Sequence, residues 1–420
     1  LSNLLITRNT VLGVEVVGVS EQAVNAPPVP SGPAVTTAGS GVSAVRAMRW
    51  GQLAAPGLIF VGIRLFGLTV LLWQSWANGY QLADRLTRWD GQWFLGIAGG
   101  GYANVPLGLV DAYGRRSAVT PLAFFPGYPY TVGAVRFVTG AGLVTAGLLV
   151  SLLAGVVLAH GLARLGELVP GGSRRAGLLL VALVATAPMG VVWSMTYSEA
   201  LFCACAVWAL VAVLRREWVL AGWCSALAGL VRPTGFAVLA AVGLATLVAV
   251  LRRQDGWRPW AGGILAPLGL AGYLGFVAAR TGSPTGWFTL QRHGWDSKFD
   301  AGAATLRFSA AVLRTGRSVL EVVTIAVLIG AIALLVECLR RNTPWPLTVY
   351  AAGVLAMDLG SNGLMNSKAR LLLPAFTLLL PVALTLARRR PSTVARVLTT
   401  VTLTSAWFGG YALTGWHYAI

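Results

Sequence analysis

Residues 199–251 read EALFCACAVWALVAVLRREWVLAGWCSALAGLVRPTGFAVLAAVGLATLVAVL. Three apolar runs stand here almost end to end, at 199–214, 218–231 and 235–251, parted only by Arg215-Arg216-Glu217 and by Arg232-Pro233-Thr234-Gly235. A proline cannot continue a helix, so Pro233 marks a tight break between two helices. Similar blocks recur on both sides, near the length a helix needs to cross ~30 Å of hydrocarbon. Across the 420 residues, 56% are hydrophobic and 11% charged, whereas a soluble domain carries roughly 25% charge. Soluble and disordered chains are excluded. The blocks are continuously apolar instead of alternating in and out, which argues against a β-barrel. The fold class is an all-α polytopic membrane protein.

Working outward from 199–251 gives about eleven spans: 52–76, 140–163, 176–193, 199–214, 218–231, 235–251, 260–280, 318–338, 345–360, 371–387 and 396–415. With the N-terminus in the cytoplasm, behind Arg46 and Arg49, every second connection is cytoplasmic. Those connections carry Arg164, Arg174 and Arg175; Arg215 and Arg216; Arg252, Arg253 and Arg258; Arg340 and Arg341; and Arg388 to Arg390. This is the positive-inside pattern. It leaves Asp84, Asp90, Asp111, Glu199, Asp296 and Asp300 on or near the outer face, with the C-terminus and the two longest hydrophilic loops, 77–139 and 281–317. Residues 1–45 form no span; NAPPVPSGPAV at 25–35 reads as disordered, and no cleavable signal peptide is evident. The domain proper is therefore 46–420, with a disordered cytoplasmic segment before it.

The net charge of +18 has its explanation in span ends and anionic lipid, not nucleic acid. Only Lys298 and Lys368 are lysines, a bias a GC-rich bacterial genome would produce. Cys203, Cys205, Cys224 and Cys338 sit in apolar stretches, and His160, His293 and His417 are scattered. Neither a disulfide framework nor a metal site is expected.

The first outer loop holds RLTRWDGQWFLGIAGGGYANV at 85–105 and SAVTPLAFFPGYPYTVGAVRF at 117–137. Trp89, Trp93, Phe94 and Ile97 fall near helical spacing and suggest a short amphipathic helix in the membrane interface. Two readings fit Asp90 beside that face: a shielded carboxylate acting as general base, or a helix cap. FFPGYP, with Pro126 and Pro129 among aromatics, is either a groove wall or irregular interfacial backbone. Glu199 follows WSMTYS at a helix start, where capping alone accounts for an acid. Arg232, Lys368 and Arg370 lie on the outer side, against the positive-inside trend. Three cations there suit a phosphate or pyrophosphate, and single ones also serve as anchors. In the second loop, WFTLQRHGWDSKF at 287–299 makes either a substrate rim or another interfacial helix.

RWDGQWFLGIAGGGY followed by AFFPGYP resembles the PIG-V-type mannosyltransferases of the GT-C class. TYSEALF, Arg232-Pro233-Thr234-Gly235 and KARLLLPAF follow in that family's order, so the resemblance runs over about 50–390. It implies a GT-C-like bundle with short interfacial helices in the outer loops. It also implies an inverting transfer of mannose from a polyprenyl-phosphate donor to a hydroxyl of a glycolipid or glycan acceptor, on the outer face of a bacterial plasma membrane. No nucleotide sugar, metal or other cofactor is implied. Asp90 corresponds to the loop aspartate that serves as base in this class. Arg232, Lys368 and Arg370 would hold the donor phosphate. Trp89, Trp93, Phe125, Tyr128, Tyr197, Glu199, His293 and Asp296 are the candidate pocket residues. Two alternatives stand beside it: the same scaffold with another lipid-linked sugar such as a pentose, or a lipid or glycan transporter. The transporter reading needs repeats and deep acids, and only Asp358 and Glu321, near span ends, come close.

Overall fold

Inside a bilayer every backbone N–H and C=O must find a partner within the protein, and an apolar run does so by coiling on itself. All eleven apolar stretches are helical, whole or broken. The computed structural model describes residues 39–315, 319–362 and 365–416, with 39–52 as backbone alone. Residues 1–38 and His417 lie outside the described residues, as do 316–318, where the 281–317 loop meets the eighth expected span. From Gly51 onward the chain makes one compact unit.

The unbroken helices are Gly39–Ala77, Leu143–Leu168, Glu199–Leu214, Trp218–Val231, Gly235–Leu251, Val319–Arg340, Trp345–Gly360 and Pro391–Thr414. Leu53–Ala77, Leu143–Leu168, Arg258–Thr281 and Val319–Arg340 are each long and apolar enough to cross a membrane alone. The 16-residue helix Glu199–Leu214 is shorter, at ~24 Å. It is apolar all round because protein surrounds it: Phe202, Cys203, Ala206, Val207 and Leu210 are fully buried.

Three expected spans are interrupted. Pro267 divides the seventh into Arg258–Leu265 and Leu268–Thr281. The tenth runs through Lys368–Leu371, a 3₁₀ stretch Leu373–Leu379 and Leu380–Ala387, bent by 54°. The reading of 176–193 as one continuous span is corrected: the helix is Arg174–Ala185, and a turn containing Pro188 leads to a 3₁₀ stretch Gly190–Ser194. The freed carbonyls are satisfied from the side. Buried Arg64 donates through Nη1 to the Ala185 carbonyl at 2.7 Å and through Nε to Ser194 Oγ at 3.3 Å. Trp193 Nε1 donates to the Val184 carbonyl at 3.1 Å. Arg64→Met keeps the length and removes the donors, and should cost ~1–3 kcal/mol for the carbonyl left unpaired. Thermal unfolding in detergent reads this; an unchanged Tm would show that Arg64 does not support the break.

The helices sort their ends consistently. Glu199–Leu214 has Glu199 at one end and Arg215 after the other; Trp218–Val231 follows Glu217 and leads to Arg232; Lys368 begins the broken segment that leads to Arg388. The arginine ends meet one another: Arg175 Nη2 donates to the Arg389 carbonyl at 2.8 Å, and Arg341 Nη1 to Thr385 Oγ1 at 2.8 Å. Asp90, Glu199, Arg232, Lys368 and Arg370 gather at the opposite ends.

The loops 77–139 and 281–317 carry the expected short helices: Asp90–Gly100 and Gly127–Thr139 in the first, Gly286–Trp295 and Ala303–Thr315 in the second. The apolar face of the first helix packs against the protein itself. Trp93, Phe94 and Ile97 are buried. Trp93 stacks on Phe124 at 4.9 Å and Phe94 meets Tyr128 edge-on at 5.3 Å. The loop folds over the bundle as a cap, because FFPGYP offers the helix an aromatic surface.

Candidate active site

Asp90 is the first residue of its helix and does not cap it; Trp89 holds the cap position without a side-chain bond. Trp89 has φ +53°, a conformation that strains a bulky side chain and that concentrates at working sites. The turn before it is tied down by Thr196 N–H to the Leu86 carbonyl at 3.0 Å and by the Tyr197 hydroxyl to the Arg88 carbonyl at 3.1 Å. Burial holds the Tyr197 phenol well above its usual range, so it stays a neutral donor. The glycines after Asp90 and inside FFPGYP permit two close approaches. A Cβ on Gly91 would meet Thr196 Oγ1 at 2.6 Å, and one on Gly127 would meet the Leu230 carbonyl at 2.9 Å.

The charged groups form a chain across segments distant in sequence. Arg370 Nη1 donates to Asp90 Oδ2 at 2.7 Å, bridging 280 positions. Its Nε lies 3.7 Å from Glu199 Oε1, which is 2.6 Å from Arg232 Nη1. Arg232 Nη1 also donates to Ser198 Oγ at 3.0 Å. The Arg370 guanidinium lies 5.2 Å from the Tyr197 ring centre. Glu199 is fully buried and Arg232 and Arg370 nearly so, while the Asp90 side chain stays 33% exposed. Of the two acids in this network, Asp90 is the one that reaches solvent. Glu199 does not act as a simple helix cap: its neighbours are the two arginines, and its oxygens make no well-angled hydrogen bond despite the short distance.

A cavity of about 410 Å³ opens beside this chain. Asp90, Arg232, Lys368 and Arg370 line it with Phe125, Trp287 and Trp295. At its edge Phe236, Phe288 and Phe299 are exposed. A larger groove of about 650 Å³ lies among Ile59, Ile63, Arg174, Arg175 and Leu398. Its walls hold no acid and it belongs to the arginine end, so the smaller cavity is the candidate site.

Several expected pocket residues lie around the cavity instead of in its wall. Tyr128 is buried behind it, its hydroxyl donating to the Gly147 carbonyl at 2.8 Å. Trp93 supports Phe124 and Trp295, and Tyr197 lies under Arg370. Trp89 stacks under Arg88. His293 and Asp296 are not in the wall. His293 is exposed and offers its carbonyl to Arg115, and Asp296 accepts from Asn362 Nδ2 at 3.3 Å. Their loop contributes Trp295, Ser297 and Lys298 in their place.

Lys298 is the residue the sequence reading missed. It is exposed and lines the cavity. Asn362 N–H donates to the Lys298 carbonyl at 3.0 Å, Lys298 N–H to Asn362 Oδ1 at 2.8 Å, and Phe299 bridges to Ser361. This pairing brings the 281–317 loop against the segment that carries Lys368. Its only sequence signal was rarity, since both lysines of the chain reach this one cavity. Among the described residues, no three His, Cys, Asp or Glu side chains gather to hold a metal ion.

No protein-family model matches the sequence, and no curated protein matches it. The chain is similar in structure to ArnT from Cupriavidus metallidurans, a crystal structure in the apo state. The TM-score is 0.51 and the identity 16%, over 84% of this chain and 62% of ArnT. The chain therefore spans less than two thirds of that structure's length. The fold is GT-C-like. At this identity the likeness speaks to architecture, and it agrees with a multi-pass helical membrane protein.

Proposed function

We propose that this protein is an inverting membrane glycosyltransferase of the PIG-V type, moving mannose from a polyprenyl-phosphate donor to an acceptor hydroxyl. One observation carries the reading: a half-shielded carboxylate and four cations line one cavity whose edge is exposed aromatic surface. The isoprenoid tail leaves past Phe236, Phe288 and Phe299. The phosphate lies among the cations and the sugar faces Asp90. The site end of the bundle is the outer face, since it lies opposite the arginine-rich connections.

The reaction is one displacement. The acceptor O–H passes its proton to the Asp90 carboxylate as the oxygen attacks the anomeric carbon. The bond from that carbon to the phosphate oxygen breaks, and its electron pair leaves with the polyprenyl phosphate. Charge grows on that phosphate, and Lys298, Lys368, Arg232 and Arg370 stabilise it. Arg370 has a second task, fixing Asp90 through Oδ2. Glu199 holds the two arginines apart and oriented.

Lys298→Ala removes an exposed cation that supports no helix. It should raise the donor KM about fivefold with little change in kcat, as expected for a single solvent-facing charge on a phosphate. A kcat loss without a KM change would place Lys298 outside donor binding. The reading itself is tested by incubating purified protein with labelled polyprenyl-phosphate mannose and a membrane glycolipid extract. Mass spectrometry should find an acceptor one hexose heavier. Movement of lipid without any covalent product would favour the transporter instead.

A further inference from the structure

The proposed reaction leaves part of the cavity wall without a task. Asp358 and Ser367 both line it. Asp358 is 3% exposed and Ser367 2%. Neither carboxyl oxygen of Asp358, nor Ser367 Oγ, has a hydrogen-bond partner among the described residues. Burying such groups unpartnered is costly. The position makes it worse: Asp358 lies in the last turn of Trp345–Gly360, where the helix dipole disfavours an acid. Nearby Lys368 does not relieve it by hydrogen bonding. Its ammonium donates to the backbone carbonyls of Asp358 and of Ser361, the latter at 2.7 Å. Two buried polar side chains, nine positions apart in sequence and on one wall, are matched by a ligand that brings its own donors.

We propose that Asp358 and Ser367 form a subsite that reads the hydroxyl groups of a sugar ring, with Asp358 accepting from adjacent hydroxyls and Ser367 bonding to a further one. Trp287 and Trp295, in the same cavity, supply flat faces for the ring's C–H surface. The subsite rests on the glycosyl-transfer reading and adds the residues that select among sugars. Its ligand chemistry, a ring of neighbouring hydroxyls, is shared by the donor sugar and a glycan acceptor.

The test compares wild type with Asp358→Asn and Ser367→Ala, a small truncation that keeps the fold accessible if the aspartate variant proves unstable. Each is assayed in detergent with polyprenyl-phosphate mannose, its single-deoxy analogues and a glycolipid acceptor. Donor binding is followed independently by tryptophan fluorescence. A lost bond to a charged acceptor weakens binding ~10- to ~100-fold. KM for one substrate should therefore rise by that factor in Asp358→Asn, and about two- to tenfold in Ser367→Ala, where a neutral bond is lost, with kcat nearly unchanged. The substrate whose KM moves identifies the ring as donor or acceptor. A deoxy analogue that wild type disfavours should be disfavoured much less by the variant lacking its partner. Folded variants with wild-type KM values and wild-type deoxy discrimination would overturn the subsite. A wild-type protein that neither binds nor transfers any of these sugars would instead overturn the transfer reading, and the subsite with it.

Discussion

Asp90→Asn should lower transfer ~10³-fold, within the span that a positioned base contributes, while folding and donor binding persist. The amide has nearly the shape of the carboxylate and still accepts the Arg370 bond at Oδ. It cannot take the acceptor's proton. The loss should fall on kcat, because the donor phosphate is held by cations that the change leaves in place. Asp90→Ala should lose as much activity and, in addition, leave nearly buried Arg370 with only Glu199 as counter-charge. Comparing kcat, donor KM and Tm for the two variants separates the chemical task from the structural one. Near-normal kcat in Asp90→Asn would remove Asp90 from the reaction.

The largest effect on stability belongs to Arg232. Its partner Glu199 is fully buried and 2.6 Å away. Removing Arg232 leaves buried Glu199 with only the longer 3.7 Å contact to Arg370 as counter-charge, a loss that approaches the ~3–5 kcal/mol of breaking a buried ion pair. Arg232→Met should show that loss as a steep drop in Tm. Pairing it with Glu199→Leu removes both charges together and should recover much of the stability. It should not recover activity, since Arg232 lines the cavity and Glu199 orients Arg370. A single variant as stable as wild type would mean the pair does not hold this end of the bundle. A double variant with full activity would mean the chain of charges is scaffolding alone.

The helices were legible because lipid imposes one demand everywhere: a run apolar enough to leave water must coil, so hydropathy marks 199–214 and 235–251 almost to the residue. The break at 186–189 was visible as Pro188 and Gly190, yet apolar neighbours hid it. Nothing local announces that Arg64, more than a hundred positions earlier, supplies the donors that make the break tolerable. The candidate site divides in the same way. WDG and FFPGYP could be picked out because strain, close approach and aromatic packing require unusual residues in short order. Pairings across the chain could not. Arg370 and Arg232 read as free cations, and their acids became known only from the fold. Lys298 enters through the backbone pairing of 298–300 with 360–362, a contact with no periodicity to betray it. His293 and Asp296, chemically more conspicuous, point elsewhere from the same loop.

The central claim is that a lipid-linked sugar binds with its reacting carbon facing Asp90. An experimental structure of the Asp90→Asn variant with polyprenyl-phosphate mannose tests it directly. The account predicts the phosphate among Lys298, Lys368, Arg232 and Arg370, the tail leaving past Phe288 and Phe299, and the anomeric carbon toward position 90. Donor lodged in the groove beside Arg174 and Arg175, or with its sugar turned away from position 90, would contradict it.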